Sequence, residues 1–372
     1  MVIVPDKVQY PKNGTIWLTG LSNGAGIPDA KSEDVALAAS LAMGMGTICG
    51  SFFQVPNEHT TFSSDPLQKS RTEDAIIAFT WDHYLKDPSN PEWLVRFPMV
   101  KAAVRAMDAM TEFVAKDLPA LNVNLDSFIV AGASKRGWTT WLVGAVDSRV
   151  KAIVPIVLDA INFAAVEHHQ WKSYGGWTWA LQDYLDMDIM TRLDDPNMLL
   201  LQQQVDPYFF KDRLTMPKLV VNAVLDEFQH PDDTNYWWSD MPGPKHFLMT
   251  PNAEHSEATG IFEIVPAIGT WGAYLLRGDT VPEFTWEISE TTGEIVATLD
   301  DAGDVYEASM WYAESCGTNP DGVERRDFRV VNADADCKCG ILDIQYEGYC
   351  ANLKSAWTRE ILDGEVVDGK RV

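Results

Sequence analysis

The stretch from Ser127 to Trp138 constrains the fold of this 372-residue chain more than any other. Phe128 to Ala131 is a short, β-rich apolar run of the kind that forms a fully buried parallel strand. Residues 139–146 are typical of a helix with one apolar face. The residues around Ser134 are small: Gly132, Ala133 and Gly137. A strand, a tight turn with a serine and a helix form the layout of a nucleophile elbow, where the helix N-terminus lies behind developing negative charge.

The spacing around this serine is Gly-x-Ser-x-x-Gly, whereas the commoner elbow reads Gly-x-Ser-x-Gly. The motif is therefore weakly specific when it stands alone. The alternative interpretation is that Ser134 caps a helix in a glycine-rich turn between a strand and a helix. Only partner residues elsewhere in the chain separate the two interpretations.

The charge of the chain excludes some classes of partner. A formal net charge of −25 would repel nucleic acid and anionic membranes. There is no run of eighteen uncharged apolar residues, so we expect no membrane span. The chain begins Met1-Val2-Ile3-Val4-Pro5, without the basic and apolar regions of a signal peptide. This start predicts either a cytosolic protein or a chain from which an N-terminal portion is missing.

Strands and helices alternate along the first 279 residues. The pattern predicts strands over 15–19, 47–52, 150–158, 218–225 and 247–249, and helices over 32–43, from 73 onward, and over about 99–116, 233–240 and 261–276. Ser70 to Glu73 has the sequence of a capping box at the start of the second helix. Alternation of this kind predicts a mostly parallel sheet that is covered by helices on both faces.

Two further segments of this region have distinct characters. Gly20 to Gly26 is a glycine-rich loop after a strand, and it lacks the spacing of a dinucleotide-binding loop. It fits better as an oxyanion-hole loop that donates a backbone N–H near Leu21. Residues 160–217 are rich in Trp, Tyr, His and Asp and show no sheet pattern, so we interpret them as a helical insertion, or lid, above the sheet.

The last part of the chain has a different pattern. From Val281 onward, polar and apolar residues alternate in short runs that are separated by turns, as in antiparallel sheets. This segment is also strongly acidic. We predict an α/β domain over 1–279 and a small acidic β-rich domain over 280–372.

Four of the five cysteines lie in the tail: Cys316, Cys337, Cys339 and Cys350. Two disulfides would imply an oxidising compartment, and the alternative is a zinc site. Cys-x-Cys without a second close pair or a nearby histidine fits zinc poorly, so we favour disulfides. Cys337 and Cys339 cannot easily bond to each other, so each is expected to pair with Cys316 or Cys350. Cys49 lies in an apolar run and is expected to be a buried free thiol.

A nucleophilic serine needs a base and an acid that orients the base, in the order Ser, Asp or Glu, His in this type of sheet. His255 lies between the last sheet strand and the last helix, and Asp226 follows the preceding strand. Ser134, Asp226 and His255 each follow a predicted strand in the required order, which favours the catalytic interpretation. Asp159 is a competing acid, and Asp226 and His255 have alternative roles in a turn and a helix cap.

Two further histidines and several tryptophans are weaker candidates for functional residues. His168 and His169 are candidate metal ligands, but adjacent residues point in different directions on a helix, so we predict no metal and no cofactor. Several tryptophans are candidates for lining a substrate cleft under the lid, or equally for core packing: Trp171, Trp177, Trp179, Trp237 and Trp238.

Three blocks of sequence resemble the PhoPQ-activated pathogenicity-related protein family: residues 132–142, residues 71–81, and residues 242–245 with 251–255. The resemblance covers about residues 1–330. It implies an α/β-hydrolase fold with a doubly wound, mostly parallel sheet, a secreted or periplasmic location, and a triad that maps onto Ser134, Asp226 and His255. Members usually carry a signal sequence and leading strands, which are expected to be missing here. The tail after Cys316 follows the family pattern less clearly.

We therefore predict a secreted serine hydrolase that cleaves an ester or another acyl bond. Ser134 would be the nucleophile and His255 the base, Asp226 would orient the imidazole, and backbone N–H groups of Lys135 and near Leu21 would hold the oxyanion. The expected partner is a small-molecule or acylated substrate, without nucleic acid or a membrane span. Because the family also includes a secreted signalling protein, the alternative is an extracellular signal with a cell-surface partner that needs no activity.

Overall fold

The computed structural model describes residues 1–299 continuously, and beyond them residues 307–314, 322, 326–329, 331–332, 345–346, 349–351, 356–363, 366–367 and 370–371. The strands before residue 280 are β1 (Val2–Ile3), β2 (Asn13–Leu18), β3 (Ile48–Phe52), β4 (Thr60–Thr61), β5 (Ser70–Arg71), β6 (Ser127–Ala133), β7 (Val150–Ile156), β8 (Lys218–Ala223) and β9 (Lys245–Thr250). The helices are α1 (Glu33–Met45), α2 (Glu73–Lys86), α3 (Arg96–Asp117), α4 (Lys135–Val146), α5 (Phe163–Tyr174), α6 (Gln182–Leu185), α7 (Pro196–Val205) and α8 (Ile261–Arg277).

A seven-stranded sheet forms the centre of the molecule, with the strand order β1-β3-β2-β6-β7-β8-β9. Only β1 pairs antiparallel with its neighbour, and every other pairing in this sheet is parallel. Since parallel neighbours place their carboxyl ends at one edge, the loops after β2, β6, β8 and β9 lie on the same side of the sheet. This mostly parallel sheet confirms the predicted α/β-hydrolase fold class.

Helices cover both faces of the sheet, which explains why its central strands are mostly apolar. On one face, α1 and α8 pack together through Leu41, Ile264, Ile268 and Trp271. On the other face, α3 and α4 pack together through Met107 and Trp141. Phe128, Val130 and Ala131 of β6 are each at most 1% exposed. The central strand is therefore buried from both sides, as its sequence predicts.

The insertion predicted over 160–217 is helical. It contains α5, α6 and α7 together with short 3₁₀ helices at Trp179–Leu181, Met190–Arg192 and Pro207–Arg213. Its apolar residues, among them Phe163, Leu181 and Met198, are buried against the main core. Trp138 of α4 donates its indole N–H to the Val205 carbonyl at 2.5 Å. The insertion is thus anchored directly to the helix that follows Ser134.

Small antiparallel sheets follow residue 280, as the alternating pattern predicts. The described strands there are β10 (Phe284–Ile288), β11 (Ile295–Leu299), β12 (Ala308–Tyr312), β13 (Val331–Asn332), β14 (Gln345–Tyr346), β15 (Tyr349–Ala351), β16 (Thr358–Leu362), β17 (Val366–Val367) and β18 (Lys370–Arg371). They pair as β10-β11-β18-β17, β12-β16 and β13-β15-β14. The division of the chain at residue 279 stays a prediction. The four tail cysteine side chains lie outside the described residues.

The capping-box prediction was wrong. Ser70 belongs to strand β5, Thr72 is the N-cap residue and Glu73 is the first residue of α2. Glu73 does not reach back to the preceding turn because its carboxylate accepts hydrogen bonds from Nη1 and Nη2 of Arg136, each at 2.8 Å. A long-range ion pair has replaced the local cap. Among the described residues, no helix combines the length and the apolar character needed to span a bilayer.

Candidate active site

The turn between β6 and α4 holds Ser134 in a conformation that few residues adopt. Its φ is 56° and its ψ is −125°, so the backbone turns sharply and the side chain leaves the sheet. A Cβ on Gly132 would lie 2.9 Å from the Arg136 carbonyl, and one on Gly137 would lie 2.8 Å from the Ile156 carbonyl. The small residues that the sequence shows on both sides of Ser134 are therefore required by close backbone approach. The unusual second glycine allows α4 to pack against β7.

Ser134, His255 and Asp226 form a continuous chain of hydrogen bonds. The Ser134 Oγ lies 2.7 Å from His255 Nε2, and His255 Nδ1 lies 2.8 Å from Asp226 Oδ2. Asp226 is 2% exposed, and its Oδ1 accepts the backbone N–H groups of Phe228 at 2.7 Å and Gln229 at 3.2 Å. Three residues that the sequence analysis selected separately are thus brought together, each from a loop at the same edge of the sheet.

The environment of His255 suits a base that acts near neutral pH. Burial lowers the pKa of its imidazole, but the charge of Asp226 and the hydrogen bond to it raise the pKa more, and the net shift is upward from the ordinary value. The Phe228 ring packs against the imidazole, with the ring centres 4.4 Å apart. The backbone N–H of His255 donates to Glu227 Oε2 at 3.0 Å. These contacts hold the imidazole between the serine and the acid.

Asp159, the competing acid, occupies a different environment. Its Oδ1 accepts the indole N–H of Trp237 at 2.5 Å, and its backbone N–H donates to the Gln229 side chain. Asp159 is fully buried, and this burial raises the pKa of its carboxyl to about 8. The raised pKa favours the neutral form of Asp159, and its Oδ1 is hydrogen-bonded to Trp237, whereas Asp226 Oδ2 contacts His255. The structure therefore brings Asp226, rather than Asp159, to His255.

The two predicted oxyanion donors follow neighbouring strands of the sheet, β6 for Lys135 and β2 for Leu21. Lys135 is the first residue of α4, so its backbone N–H belongs to the free N-terminal turn of the helix. Leu21 lies in the loop after β2, which pairs directly with β6. This loop is held by hydrogen bonds from Thr19 N to the Phe52 carbonyl and from Val55 N to the Thr19 carbonyl. Their assignment to an oxyanion hole stays a prediction.

An ion-pair cluster beneath the elbow was not predicted from the sequence. Lys135 Nζ lies 2.8 Å from Glu73 and 2.9 Å from Asp74, and Arg136 forms a two-point pair with Glu73. Arg136 also donates its Nε–H to the Val55 carbonyl at 2.6 Å. Two cationic residues directly after Ser134 and two acidic residues at the start of α2 are visible in the sequence. Their pairing requires the tertiary structure, because 61 or more residues separate them.

A narrow cavity of about 40 Å³ opens between Ser134 and His255 and the helical insertion. Its walls include Trp138, Leu158, Phe163 and Tyr184. Glu167 also lines it and is 1% exposed, and burial raises the pKa of its carboxyl to about 8. The five tryptophans proposed for a substrate cleft are not among the residues that line this cavity, all of which lie between residues 74 and 255. Trp237 instead packs against Trp141 in the core, and Trp171 contacts Trp177.

Three other histidines, His246, His168 and His169, have hydrogen-bond partners outside this chain of hydrogen bonds. His246 is half-buried, and its Nδ1 accepts the Trp271 indole N–H at 3.2 Å. As predicted for adjacent residues on a helix, His168 and His169 have different partners: Asp194 for His168 and Asp232 for His169.

Comparison with known proteins places these features in a family context. The model of the family described as PhoPQ-activated pathogenicity-related protein matches residues 1–329, which include Ser134, Asp226 and His255. The chain is 36% identical over 320 residues to autocrine proliferation repressor protein A from Dictyostelium discoideum. That match covers 84% of this chain and 62% of the relative. The chain thus spans less than two thirds of the length of this relative.

Two solved structures are similar at low sequence identity. Est1E from Butyrivibrio proteoclasticus is 12% identical with a TM-score of 0.42, and the match covers 75% of this chain and 93% of Est1E. Acetyl xylan esterase 1 from Thermoanaerobacterium sp. is 14% identical with a TM-score of 0.47, and the match covers 73% of this chain and 78% of that enzyme.

Proposed function

This chain belongs to the PhoPQ-activated pathogenicity-related protein family, and from the geometry around Ser134 we propose that it is a serine hydrolase that cleaves an ester or another acyl bond. The observation that carries the proposal is the hydrogen-bonded chain from Ser134 Oγ through His255 to Asp226. A nucleophile, a base and an orienting acid in this relation are what acyl transfer to a serine requires.

In the proposed mechanism, Ser134 Oγ attacks the carbonyl carbon of the substrate while His255 Nε2 accepts its proton. The carboxylate of Asp226 holds the imidazole in the correct tautomer and stabilises the imidazolium. The backbone N–H groups of Lys135 and near Leu21 would stabilise the oxyanion, and the N-terminus of α4 adds positive potential there. His255 then protonates the leaving group. A water molecule, activated by the same imidazole, releases the acyl group from Ser134.

The cavity beside Ser134 supports a preference for short acyl groups. It is narrow, and its walls are formed by core side chains and by the helical insertion. Enlarging it would require several of these packed side chains to move. We expect acetyl and butyryl esters of one chromogenic alcohol to be cleaved with higher kcat/KM than the octanoyl and palmitoyl esters. A preference for the long chains would contradict this part of the proposal.

Labelling with a fluorophosphonate probe tests the nucleophile directly. The wild-type protein should be labelled at Ser134, and Ser134→Ala should lose both the label and esterase activity. Ser256→Ala is a matched control, because this exposed serine lies next to His255 and its hydroxyl accepts the Ala258 N–H at 3.3 Å. It should keep the label. A folded wild-type protein that remains unlabelled would refute the serine-hydrolase proposal.

A second candidate function follows from the 36% identity to a protein named autocrine proliferation repressor. In this alternative, the chain is an extracellular signalling protein that binds a cell-surface partner and retains a hydrolase scaffold. Adding wild type and Ser134→Ala to responsive cells distinguishes the two. If the variant folds and retains the full effect on proliferation, catalysis is not the basis of signalling. If the effect disappears with the label, the hydrolase proposal explains both.

A secreted or periplasmic location is a further part of this proposal. It is supported by the resemblance to the family and by the clustered tail cysteines, which would form disulfides in an oxidising compartment. Fractionation of the source cells, with detection by a specific antibody, should find the protein in the extracellular or periplasmic fraction. Detection in the cytosol alone would contradict this location.

A further inference from the structure

Two histidines and an aspartate meet where helix α5 approaches the loop that contains Asp226. The His–Asp cluster consists of His169 on α5 and of His230 and Asp232 on the loop after β8. One ligand atom from each lies within 4.8 Å of the other two. Asp232 Oδ1 is 2.8 Å from His169 Nε2 and 2.7 Å from His230 Nδ1. The adjacent His168 takes no part in the cluster. Its partner is Asp194.

His230 has bonding capacity that this arrangement does not use. It is 3% exposed, and among the described residues neither of its ring nitrogens has a partner aligned for a hydrogen bond. The 2.7 Å approach of Nδ1 to Asp232 is short but lacks that alignment. Tyr174 stacks on the ring at 4.9 Å between centres, so the imidazole is fixed in place. A buried polar group without an aligned partner requires an explanation.

We propose that the His–Asp cluster binds a divalent transition-metal ion of the zinc type. Two imidazole nitrogens and one carboxylate oxygen are a usual protein ligand set for Zn²⁺. Ligand atoms at about 2.0–2.2 Å from a tetrahedral ion lie about 3.3–3.6 Å from one another. The present contacts of 2.7 and 2.8 Å would need to lengthen by about 0.5–0.9 Å. The side chains of His169 and Asp232 are 12% and 27% exposed, so a water molecule can reach the fourth position.

The surrounding charges are compatible with a cation. Arg326 donates to Asp232 Oδ2 at 2.5 Å and therefore leaves Oδ1 to face the two imidazoles. Hydrogen bonding of this kind orients ligating carboxylates in metal sites, although the positive charge of Arg326 itself weakens the attraction for a metal. Asp233 is fully buried beside the cluster, and its Oδ2 accepts the backbone N–H of His230 at 2.7 Å. The Glu167 carboxyl also lies near the cluster, but burial raises the pKa of both carboxyl groups, so they add little negative charge at pH 7.

The position of the cluster gives the metal a structural role. His169 lies on the helical insertion, whereas His230 and Asp232 follow Asp226 by four and six residues. Gln170, next to His169, already donates to the Phe228 carbonyl at 2.6 Å. A metal ion would join the insertion to the loop after β8 by coordination bonds, which are much stronger than this hydrogen bond. Binding should therefore stabilise the folded protein, whether or not Ser134 is catalytic.

Metal binding to the untagged full-length chain tests the proposal. After dialysis against a chelator, titration with Zn²⁺ should show one site per chain and raise the melting temperature. Co²⁺ should bind at the same site and produce the visible absorption of a four-coordinate ion. Asp232→Asn and His169→Gln should each weaken Zn²⁺ binding more than about 100-fold, because loss of an outer partner alone costs 10–100-fold. Both variants alter partly exposed side chains.

His168→Gln is the matched control, since it removes an adjacent, exposed histidine of the same helix. It should retain the full stoichiometry and affinity. Circular dichroism would establish that each variant is folded. Absence of Zn²⁺ and Co²⁺ binding to the wild type would overturn the proposal, and so would equal binding by wild type and Asp232→Asn. Neither result bears on the labelling of Ser134, so the two proposals fail independently.

Discussion

Asp226 and Asp159 show how their surroundings assign different chemistry to two buried carboxyl groups. Asp226 accepts two backbone N–H groups with one carboxylate oxygen, and its other oxygen contacts the His255 imidazole. Asp159 accepts one indole N–H, and its Oδ2 has no hydrogen-bond partner in a region where every residue is described. Burial therefore dominates at Asp159 and raises the pKa of its carboxyl to about 8. Only Asp226 is suited to stabilise a protonated histidine.

Replacing each acid by asparagine tests this assignment. Asp226→Asn should lower kcat by about 10⁴, because the amide favours the wrong imidazole tautomer. Asp159→Asn keeps an acceptor for the Trp237 indole and does not alter the contact between Asp226 and His255. It should therefore lower kcat by less than about tenfold, which corresponds to about 1.4 kcal/mol in the activation barrier. Both variants are compared with wild type on one short-chain ester. A larger loss at Asp159 would show that the acid has been assigned to the wrong strand.

The pH dependence of activity should follow the ionisation of His255. Burial lowers the pKa of this imidazole, but Asp226 raises it by more, so the pKa lies above its ordinary value. The protonated imidazole cannot accept the Ser134 proton. We therefore expect kcat/KM to rise with pH, with a midpoint above about 6.5. Asp226→Asn removes the nearby negative charge and should move the midpoint to lower pH. A midpoint that stays the same in this variant would contradict the contact.

At the scale of elements, α2 and α4 are joined by charges that hold the elbow in place. Lys135 and Arg136 at the start of α4 pair with Glu73 and Asp74 at the start of α2. Asp74 also accepts the Tyr184 hydroxyl at 2.9 Å and so connects both helices to the insertion. Since the Lys135 side chain is only 8% exposed, its ammonium needs these partners in place of water.

Asp74→Ala should therefore destabilise the protein. The substitution leaves the Tyr184 hydroxyl unpaired and Lys135 with one acidic partner, for an expected loss of about 1–3 kcal/mol in the free energy of unfolding. Asp279→Ala removes an exposed ion pair with Arg277 and should cause no measurable change. Urea denaturation of both variants and wild type gives the comparison. Equal stability of the two variants would show that the pairs beneath the elbow are dispensable.

At the scale of the whole molecule, burial raises the pKa of several carboxyl groups. Burial raises the pKa values of Asp159, Glu167 and Glu257 to about 8 and that of Asp206 to about 6. Each of these groups binds its proton more tightly in the folded state than in the unfolded chain. Their contribution to stability is therefore complete below the unfolded pKa and is lost as pH rises through the folded pKa.

The free energy of unfolding should consequently fall between about pH 5 and pH 8. Each group with a folded pKa near 8 contributes a slope of about 1.4 kcal/mol per pH unit below that pKa. Glu167→Gln replaces one such group by a neutral side chain and should reduce the slope by up to that amount. Urea denaturation at several pH values measures both slopes. Stability that is constant or rises over this range would contradict the expected protonation states.

The cysteines give a second test at this scale. Cys49 is fully buried and free, as predicted, and burial raises the pKa of its thiol to about 12. The proposed disulfides among Cys316, Cys337, Cys339 and Cys350 stay a prediction. Each would contribute about 2–4 kcal/mol by restricting the unfolded tail. Counting thiols in denatured, non-reduced protein from its native compartment should find one free thiol. A count of five would refute both the disulfides and the oxidising compartment.

Local sequence was sufficient to predict the fold class and the residues of the candidate triad. A buried strand, a small-residue turn and an amphipathic helix are each encoded within a few neighbouring residues, and Ser134 is identified by them. Asp226 and His255 follow from the rule that active residues lie at the carboxyl ends of parallel strands. The sequence could not predict which acid forms a hydrogen bond to His255. The choice between Asp226 and Asp159 depends on which loop turns toward the imidazole.

Only the tertiary structure decided which distant charged groups meet. The sequence predicted a capping box at Ser70, but Glu73 instead pairs with Arg136, 63 residues further along the chain. In the same way, His169 gained His230 and Asp232 as neighbours, although its adjacent histidine argued against a metal site. Periodicity and turn residues report on interactions within a few positions. Ion pairs and ligand clusters depend on how the helices and loops pack against one another. A single sequence does not specify the distances between residues that are far apart along the chain.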